Sequence, residues 1–259
     1  MCPLLHRLVA VSALLLNAAL LAPDSRASPV NGPAPNSPEA ILFIAANRDR
    51  AAAGLPPFQW DADLAGAARQ HAQAMAQRNK LSHQFPGEPA MQDRARRAGA
   101  RFSMIAENVA EGPNAAGLHV QWMNSAPHRA NLLDHDLNSI GIAVAEHGNT
   151  LFAVEDFSVG VPQLSFADQE AELRARLSGY GLPLVNNTSD ARRTCAVDRG
   201  WSGTRPLAVL RYEMVDLSRL PEEVEQKARS GRFHSAAVGA CEPSGSATFA
   251  RFRVAILFY

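Results

Sequence analysis

Three short stretches of this 259-residue chain hold the side chains with chemical reach: Leu81-Ser82-His83-Gln84, Ala106-Glu107-Asn108-Val109, and the run from Trp122 through Ser125, Pro127, His128 and Arg129 to Asn131. Imidazole and carboxylate groups gathered from positions so far apart can hold a divalent metal or relay protons, which neither does alone. Two neutral imidazoles at about 2.0–2.1 Å suit zinc, with a carboxylate or water completing the set. Three ligands and an open position would make metal-assisted hydrolysis chemically available. Without a metal, Glu107 placed between His83 and His128 would hold one of them protonated and form an ion-paired cluster that only stabilises its surroundings. The residues leave both readings open. Ser82 and Ser125 each lie near a histidine, yet the chain has neither Gly-x-Ser-x-Gly nor His-Glu-x-x-His, nor a phosphate-cradling glycine loop, so these serines gain no support as nucleophiles.

The elements that must position these groups are read from periodicity. Ser37 as cap, Pro38 and Glu39 open a first helix that Gly54 closes, and residues 55–60 form an extended link. Asp61 caps a second helix with Leu64, Ala67, Ala68, His71, Ala72 and Met75 on one face, ending near Lys80. A third spans Met91 to Ala98 and stops at Gly99; a fourth starts from a cap at Asn114 and runs through Leu118, Val120 and Trp122. No element is predicted between Gly99 and Asn114. A turn at Pro127-His128 and a short helical piece to Leu133 lead to a hairpin, with Ile140, Ile142 and Val144 on the outgoing strand, a turn at residues 146–149 and a return over 151–159. Helices followed by a hairpin give an α+β or α-β-α layered domain.

The other histidines are read more plainly. His71 lies on a packed helical face and is expected to be a hydrogen-bonded core residue; His119 is expected to be partly exposed, and His135 and His147 solvated. Trp60 and Trp122 are expected to anchor packing, with a place at the edge of the site as the alternative for Trp122. Asn108, Arg129 and Asn131 could rigidify the segment that carries His128.

Residues 1–27 read as an export signal: His6 and Arg7, an apolar run from Leu8 to Leu21, and a Ser25-Arg26-Ala27 exit. A secreted or periplasmic location follows from that reading, and residues 28–36, rich in Pro, Ser, Asn and Gly, read as a flexible lead-in. Cys195 and Cys241 would then be an even pair in an oxidising compartment and are read as one disulfide confined to the last third of the chain. Formal charge balances at zero with no basic stripe, which argues against a nucleic-acid partner. From Gln163 a second unit is predicted, with a helix over 166–177, the cysteine-bearing segment, a strand over 207–215, a helix over 221–230 and a closing strand over 248–259.

Phe58-Gln59-Trp60-Asp61 leading into Leu64, Ala68 and His71-Ala72, then Ser82-His83, Glu107-Asn108, residues 122–125 and His128-Arg129-Ala130-Asn131 before Gly141-Ile142, together resemble the CAP superfamily in its bacterial form. That superfamily takes in cysteine-rich secretory proteins, antigen 5 and plant pathogenesis-related proteins, and the shared region is the SCP domain. Five ordered motifs at matching spacing, between about Pro38 and Val159, are more specific than any one of them. The resemblance implies an α-β-α sandwich over residues 37–162; residues 163–259 lie outside it and are read from their own pattern and cysteine pair as a small disulfide-bridged α/β unit. It also implies a cleft in which His83 is the first histidine, Glu107 the motif glutamate and His128 the second histidine. Ala106 stands where the motif has glycine, and Ser125 where many eukaryotic members have a second glutamate, so the usual tetrad is at most a triad with Ser125 beside it.

The leading expectation is a secreted CAP-domain protein that is not a conventional enzyme. It would hold a small-molecule or lipid ligand, an envelope component or a divalent metal such as zinc in the cleft around His83, Glu107, Ser125 and His128. The alternative is a metal-dependent hydrolase acting on peptide or cell-wall bonds. A third possibility is a relic cleft, with the C-terminal unit making a protein contact. Fold alone does not choose among these.

Overall fold

The computed structural model describes residues 32–245 and 249–259, so the expected export signal lies outside the described residues. Helix α1 (Pro38–Ala52) starts as anticipated, with the Ser37 hydroxyl accepting from the Ala40 N–H and Pro38 in the first turn. Asp61 accepts from two backbone N–H groups to cap α2 (Ala62–Arg78), which ends on Asn79 in the left-handed region. Gly99, at φ 109°, closes α3 (Met91–Ala98). The extended link holds a short strand, β1 (Gln59–Trp60).

Between α3 and α4 (Ala115–Asn124) the chain forms an eleven-residue strand, β2 (Phe102–Gly112), where no element was predicted. Its polar Glu107, Asn108 and Glu111 break the apolar alternation that marks a half-buried strand. Pro127-His128 is likewise no turn: both lie in helix α5 (Ala126–Leu132), with Ser125 at its N-cap and Pro127 in the first turn, where a missing N–H costs nothing. The hairpin β3 (Ser139–His147) and β4 (Thr150–Gly160) is as expected.

These strands form one sheet in the order β1-β3-β4-β2, with β1 parallel to β3 and the other pairs antiparallel. Apolar side chains of α1, α4 and α5 bury against one face through Leu42, Leu118, Trp122, Leu132, Ile140, Ile142 and Phe157. Helix α2 covers the other face over Ala72, Met75, Val109, Ala143, Phe152 and Val154, with α3 packed beside it. That is the α-β-α sandwich. Buried Arg50 of α1 ties it together, donating to the carbonyls of Pro56, Leu132, Asp134 and Leu137 and lying 3.8 Å above the Phe58 ring.

Strand β2 is an edge, and an edge presents unpaired carbonyls. Alternate ones are covered: Asn131 donates to the Glu107 carbonyl, the Trp122 indole N–H to that of Val109, and Gln121 to that of Glu111. Trp122 is therefore a fully buried anchor and not a cleft-edge ring. His119 is buried, not partly exposed, because its Nε2 meets the Asp49 carboxylate of α1 at 2.8 Å. His71 is a core histidine as expected, and His135 and His147 are exposed.

The last third has its own three-stranded sheet, ordered β5 (Ala208–Met214), β7 (Phe252–Phe258), β6 (Ala236–Cys241), all antiparallel. Helices α6 (Phe166–Ser178) and α8 (Glu222–Arg229) bury one face, and α7 (Thr188–Cys195) the other. Neither α7 nor β6 was predicted. Strand β6, Ala-Ala-Val-Gly-Ala-Cys, is buried throughout and carries little β-branched bulk. Cys195 and Cys241 form the anticipated disulfide, joining the end of α7 to the end of β6 with Cα atoms 5.8 Å apart. Closing that loop stabilises the fold by about 4 kcal/mol in the chain-entropy model. Among the described residues no helix is long and apolar enough to cross a membrane.

The closest approach in the first sheet is at Gly141 of β3, where a Cβ atom would run into the backbone of Leu64 and Ala65 on α2. Gly141→Ala should cost about 3 kcal/mol or more, because both colliding groups are backbone and neither can rotate away. Urea unfolding of the variant against the parent measures it; an unchanged midpoint would mean that α2 does not pack this closely.

Candidate functional site

The site is built on the middle of β2, where adjacent residues point to opposite faces of the sheet. Glu107 faces the α2 and α3 side; Asn108 faces the α4 and α5 side.

On the first side Glu107 is buried, its side chain 4% exposed, and both its oxygens are engaged. Oε1 lies 2.9 Å from Nδ1 of His83, whose ring is 60% exposed. Oε2 is paired with the guanidinium of Arg94, a buried residue of α3. Arg94 also donates to the carbonyls of His83 and Pro89 and lies 3.9 Å from Glu88. Glu88 in turn meets Nδ1 of His71 at 2.7 Å and accepts from the Phe85 N–H, and Nε2 of His71 reaches the Ser82 carbonyl. The segment that carries His83 is thus fastened from both sides, to α2 through His71 and to the sheet through Arg94 and Glu107.

Across the register from Glu107 stands Asp156 of β4, fully buried, with neither carboxylate oxygen hydrogen-bonded. Burial, reinforced by the charge of Glu107 and opposed by Arg94, pushes its pKa well above the ordinary carboxylate value. Protonated, Asp156 becomes a donor beside Glu107.

On the second side, the Asn108 amide donates to the His128 carbonyl at 3.1 Å and to the Glu155 carboxyl at 3.3 Å, while its oxygen accepts from Asn131 at 2.9 Å. Asn108 and Asn131 therefore hold the backbone of α5 onto β2, the supporting part expected of them. Arg129 is exposed and makes no side-chain hydrogen bond or ion pair among the described residues, so nothing ties it to that support. Ser125 is half-buried at the α5 N-cap, where its carbonyl accepts from the Arg129 N–H. Glu155 is enclosed, and burial, against the Asn108 hydrogen bond, lifts its pKa to about 8.

The two cleft histidines are displaced in opposite directions. Hydrogen bonding to Glu107 raises the pKa of His83, against partial burial and the charge of Arg94. Partial burial, then the nearby His83, lowers that of His128. The structure thus brings His83 against Glu107 and sets His128 within electrostatic reach of His83. It does not draw the three together as metal donors: among the described residues, the trio whose donor atoms all lie within 4.8 Å of one another is the exposed Asp134, His135 and Asp136. Glu107 has both oxygens spent on His83 and Arg94, so it does not fit the part of a metal ligand. The exposed imidazole edges of His83 and His128 are the donors left.

Arg94, Asp156 and Glu155 were missed from the sequence. Arg94 stands among Asp93, Arg96 and Arg97, and nothing in that run marks the one that turns inward. Glu155-Asp156 did leave a signal, since two adjacent acids inside the apolar run from Leu151 to Phe157 must either break the strand or be buried with a purpose.

An α-β-α sandwich with a histidine-glutamate cluster on its edge strand defines the class of domain, and comparison with known proteins gives its family. Residues 43–159 match the CAP family, described as the cysteine-rich secretory protein family, and this part of the chain belongs to it. The chain is 34% identical over 104 residues to the Bacillus subtilis (strain 168) protein YkwD, described as uncharacterised, a match that spans 40% of each. It is thus similar to only about two fifths of that relative's length. Among solved structures, an extracellular SCP-domain protein from Bacillus anthracis (strain Ames) is 29% identical, over 45% of this chain and 38% of that one, with a TM-score of 0.42. An outer surface protein from Borrelia burgdorferi is 20% identical, over 48% of this chain and 92% of that one, with a TM-score of 0.45.

The raised pKa values of Glu155, Asp156 and His83 share a sign: the native state binds protons that the unfolded chain has released. The stability they confer is full below the ordinary pKa of each group and is lost as pH rises through the raised value. The urea midpoint should therefore fall between about pH 5 and about pH 8.5, and Glu155→Gln should flatten that slope. An identical slope in the variant would show that Glu155 is ionised in the folded protein.

Proposed function

We propose that the CAP domain is an extracytoplasmic binding module that takes its ligand on the exposed edges of His83 and His128, and that a divalent metal such as zinc is the ligand this pair suits. One observation carries the reading: a 60% exposed imidazole is held at Nδ1 by a carboxylate that is 4% exposed. A ring oriented by a buried carboxylate, with its other nitrogen turned to solvent, has the arrangement that supports metal-ligating histidines. Glu107 then orients a ligand without being one, and Arg94 fixes Glu107. Zinc bound there would supply a Lewis-acidic centre. Because His83 must give up its proton to bind, affinity should rise with pH through the raised pKa of that ring.

Zinc titration calorimetry on protein purified without chelator tests this. His83→Ala and His128→Ala should each weaken binding at least about tenfold, and Glu107→Gln by about 10–100-fold. Zinc binding unaffected by both histidine variants, or absent from the parent, would remove the reading.

A second reading, hydrolysis of peptide or cell-wall bonds, is favoured by the opposite displacement of the two imidazoles, which favours the charged form of His83 and the neutral form of His128 within electrostatic reach of each other. It predicts release of soluble fragments from purified peptidoglycan, lost in His128→Ala; no release by the parent protein counts against it.

A further inference from the structure

A hollow lies where the two sheets meet, away from the histidines. It encloses about 320 Å³, within the range of small-molecule sites. Arg101, just before β2, forms part of its wall, and α6 contributes Phe166 and Gln169, while Phe249 and Phe252 come from the approach to β7. The walls are fixed to each other: the Val161 N–H donates to the Arg101 carbonyl at 2.9 Å, the Ala250 N–H to the Phe102 carbonyl at 2.7 Å, and the Phe249 ring meets Phe102 edge-on.

Three side-chain polar atoms in this lining, on Gln169, Arg101 and Arg251, have no hydrogen-bond partner among the described residues, and for Gln169 and Arg101 no ion pair compensates. Gln169 is 5% exposed; its amide nitrogen donates to the Leu164 carbonyl, but its Oε1 receives no hydrogen bond. Arg101 makes no side-chain hydrogen bond or ion pair among the described residues, and its Nε is buried without a partner. The neighbouring Arg251, by contrast, is neutralised by Glu213 at 2.6 Å. Buried donors and acceptors left unmet are rare and costly, so each one specifies what would complete it. A guanidinium without a hydrogen bond or ion pair among the described residues suits a carboxylate, which it binds through two parallel N–H groups; the carboxyl that shares this lining, on exposed Glu242, is not paired with it. The orphaned amide oxygen calls for an N–H, and the phenylalanine rings call for an apolar body.

We propose that this cavity binds a small organic carboxylate bearing an apolar side chain and an N–H donor, as presented by an amino acid or by the C-terminal residue of a peptide. Arg101 takes the carboxylate, Gln169 the N–H, and Phe166, Phe249 and Phe252 the side chain. The site is independent of the histidine cleft and of any metal there.

Calorimetry on the full chain, with N-acetyl-L-phenylalanine, its C-terminal amide and free L-phenylalanine as probes, tests the assignment. One of the two acids should bind with a Kd below ~1 mM, and the amide, lacking the anion, at least about tenfold more weakly than the N-acetyl acid if that form is the one bound. Tighter binding of the N-acetyl acid assigns the cavity to peptide termini, and tighter binding of free phenylalanine to amino acids. Arg101→Gln, which removes no hydrogen bond or ion pair among the described residues, should weaken binding of the acid about tenfold or more, and Gln169→Leu should also weaken it. Neither acid binding at ~10 mM, the amide matching the N-acetyl acid, or Arg101→Gln binding like the parent would each overturn the proposal. Zinc titration of Arg101→Gln should match the parent, which separates failure here from failure at the histidines.

Discussion

The contact between buried Glu107 and buried Arg94 is the constraint on which the candidate site depends. A carboxylate on an interior strand position is tolerated only when its charge is met and its oxygens are bonded. Arg94 meets the charge and bonds Oε2, His83 bonds Oε1, and the second terminal nitrogen of Arg94 donates to the carbonyls of His83 and Pro89, so one guanidinium neutralises the acid and fastens the loop that presents the histidine. Removing either partner would leave an unpaired charge beside Asp156, which has no bonded donor of its own.

This arrangement places the polar groups of the site in two layers. Beneath are Glu107, Asp156, Arg94 and Glu88, enclosed and mutually dependent; above are His83 and His128, one exposed and one half-buried, available to a ligand. Two buried acids on β4 cost stability, Asp156 in the lower layer and Glu155 on the opposite face of the sheet, since little bonds either, and the cost takes the form of raised pKa values. Close packing elsewhere offsets it. Arg50 joins four carbonyls, and α2 lies on Gly141 so tightly that no side chain fits between them.

How much was legible beforehand differed by element. Helices α1 to α4 announced themselves through caps and stops: Ser37, Asp61 and Asn114 at the starts of α1, α2 and α4, Gly54 and Gly99 just past the ends of α1 and α3. The β3-β4 hairpin showed its alternation. Strand β2 did not, because the residues that make the site are the ones that spoil its pattern. His119 was misread for a related reason: beside Val120 it looked like a surface position, and only the approach of α1 supplies Asp49 to hold it inside.

What the chain determined by itself was the local grammar and the inventory: capped helices, a hairpin, one pair of cysteines in the last third, and two histidines and a glutamate in separate motifs. These follow from short-range sterics and from residue type, which a linear reading can see. The tertiary structure alone decided which charges meet. It turned Arg94 inward from a run of similar residues, set Asp156 opposite Glu107 through the β2-β4 register, and left Arg101 without a counter-ion among the described residues at the junction of two sheets. Pairings of that kind depend on where remote segments cross, and burial, which strengthens each of them, exists only once the chain has folded.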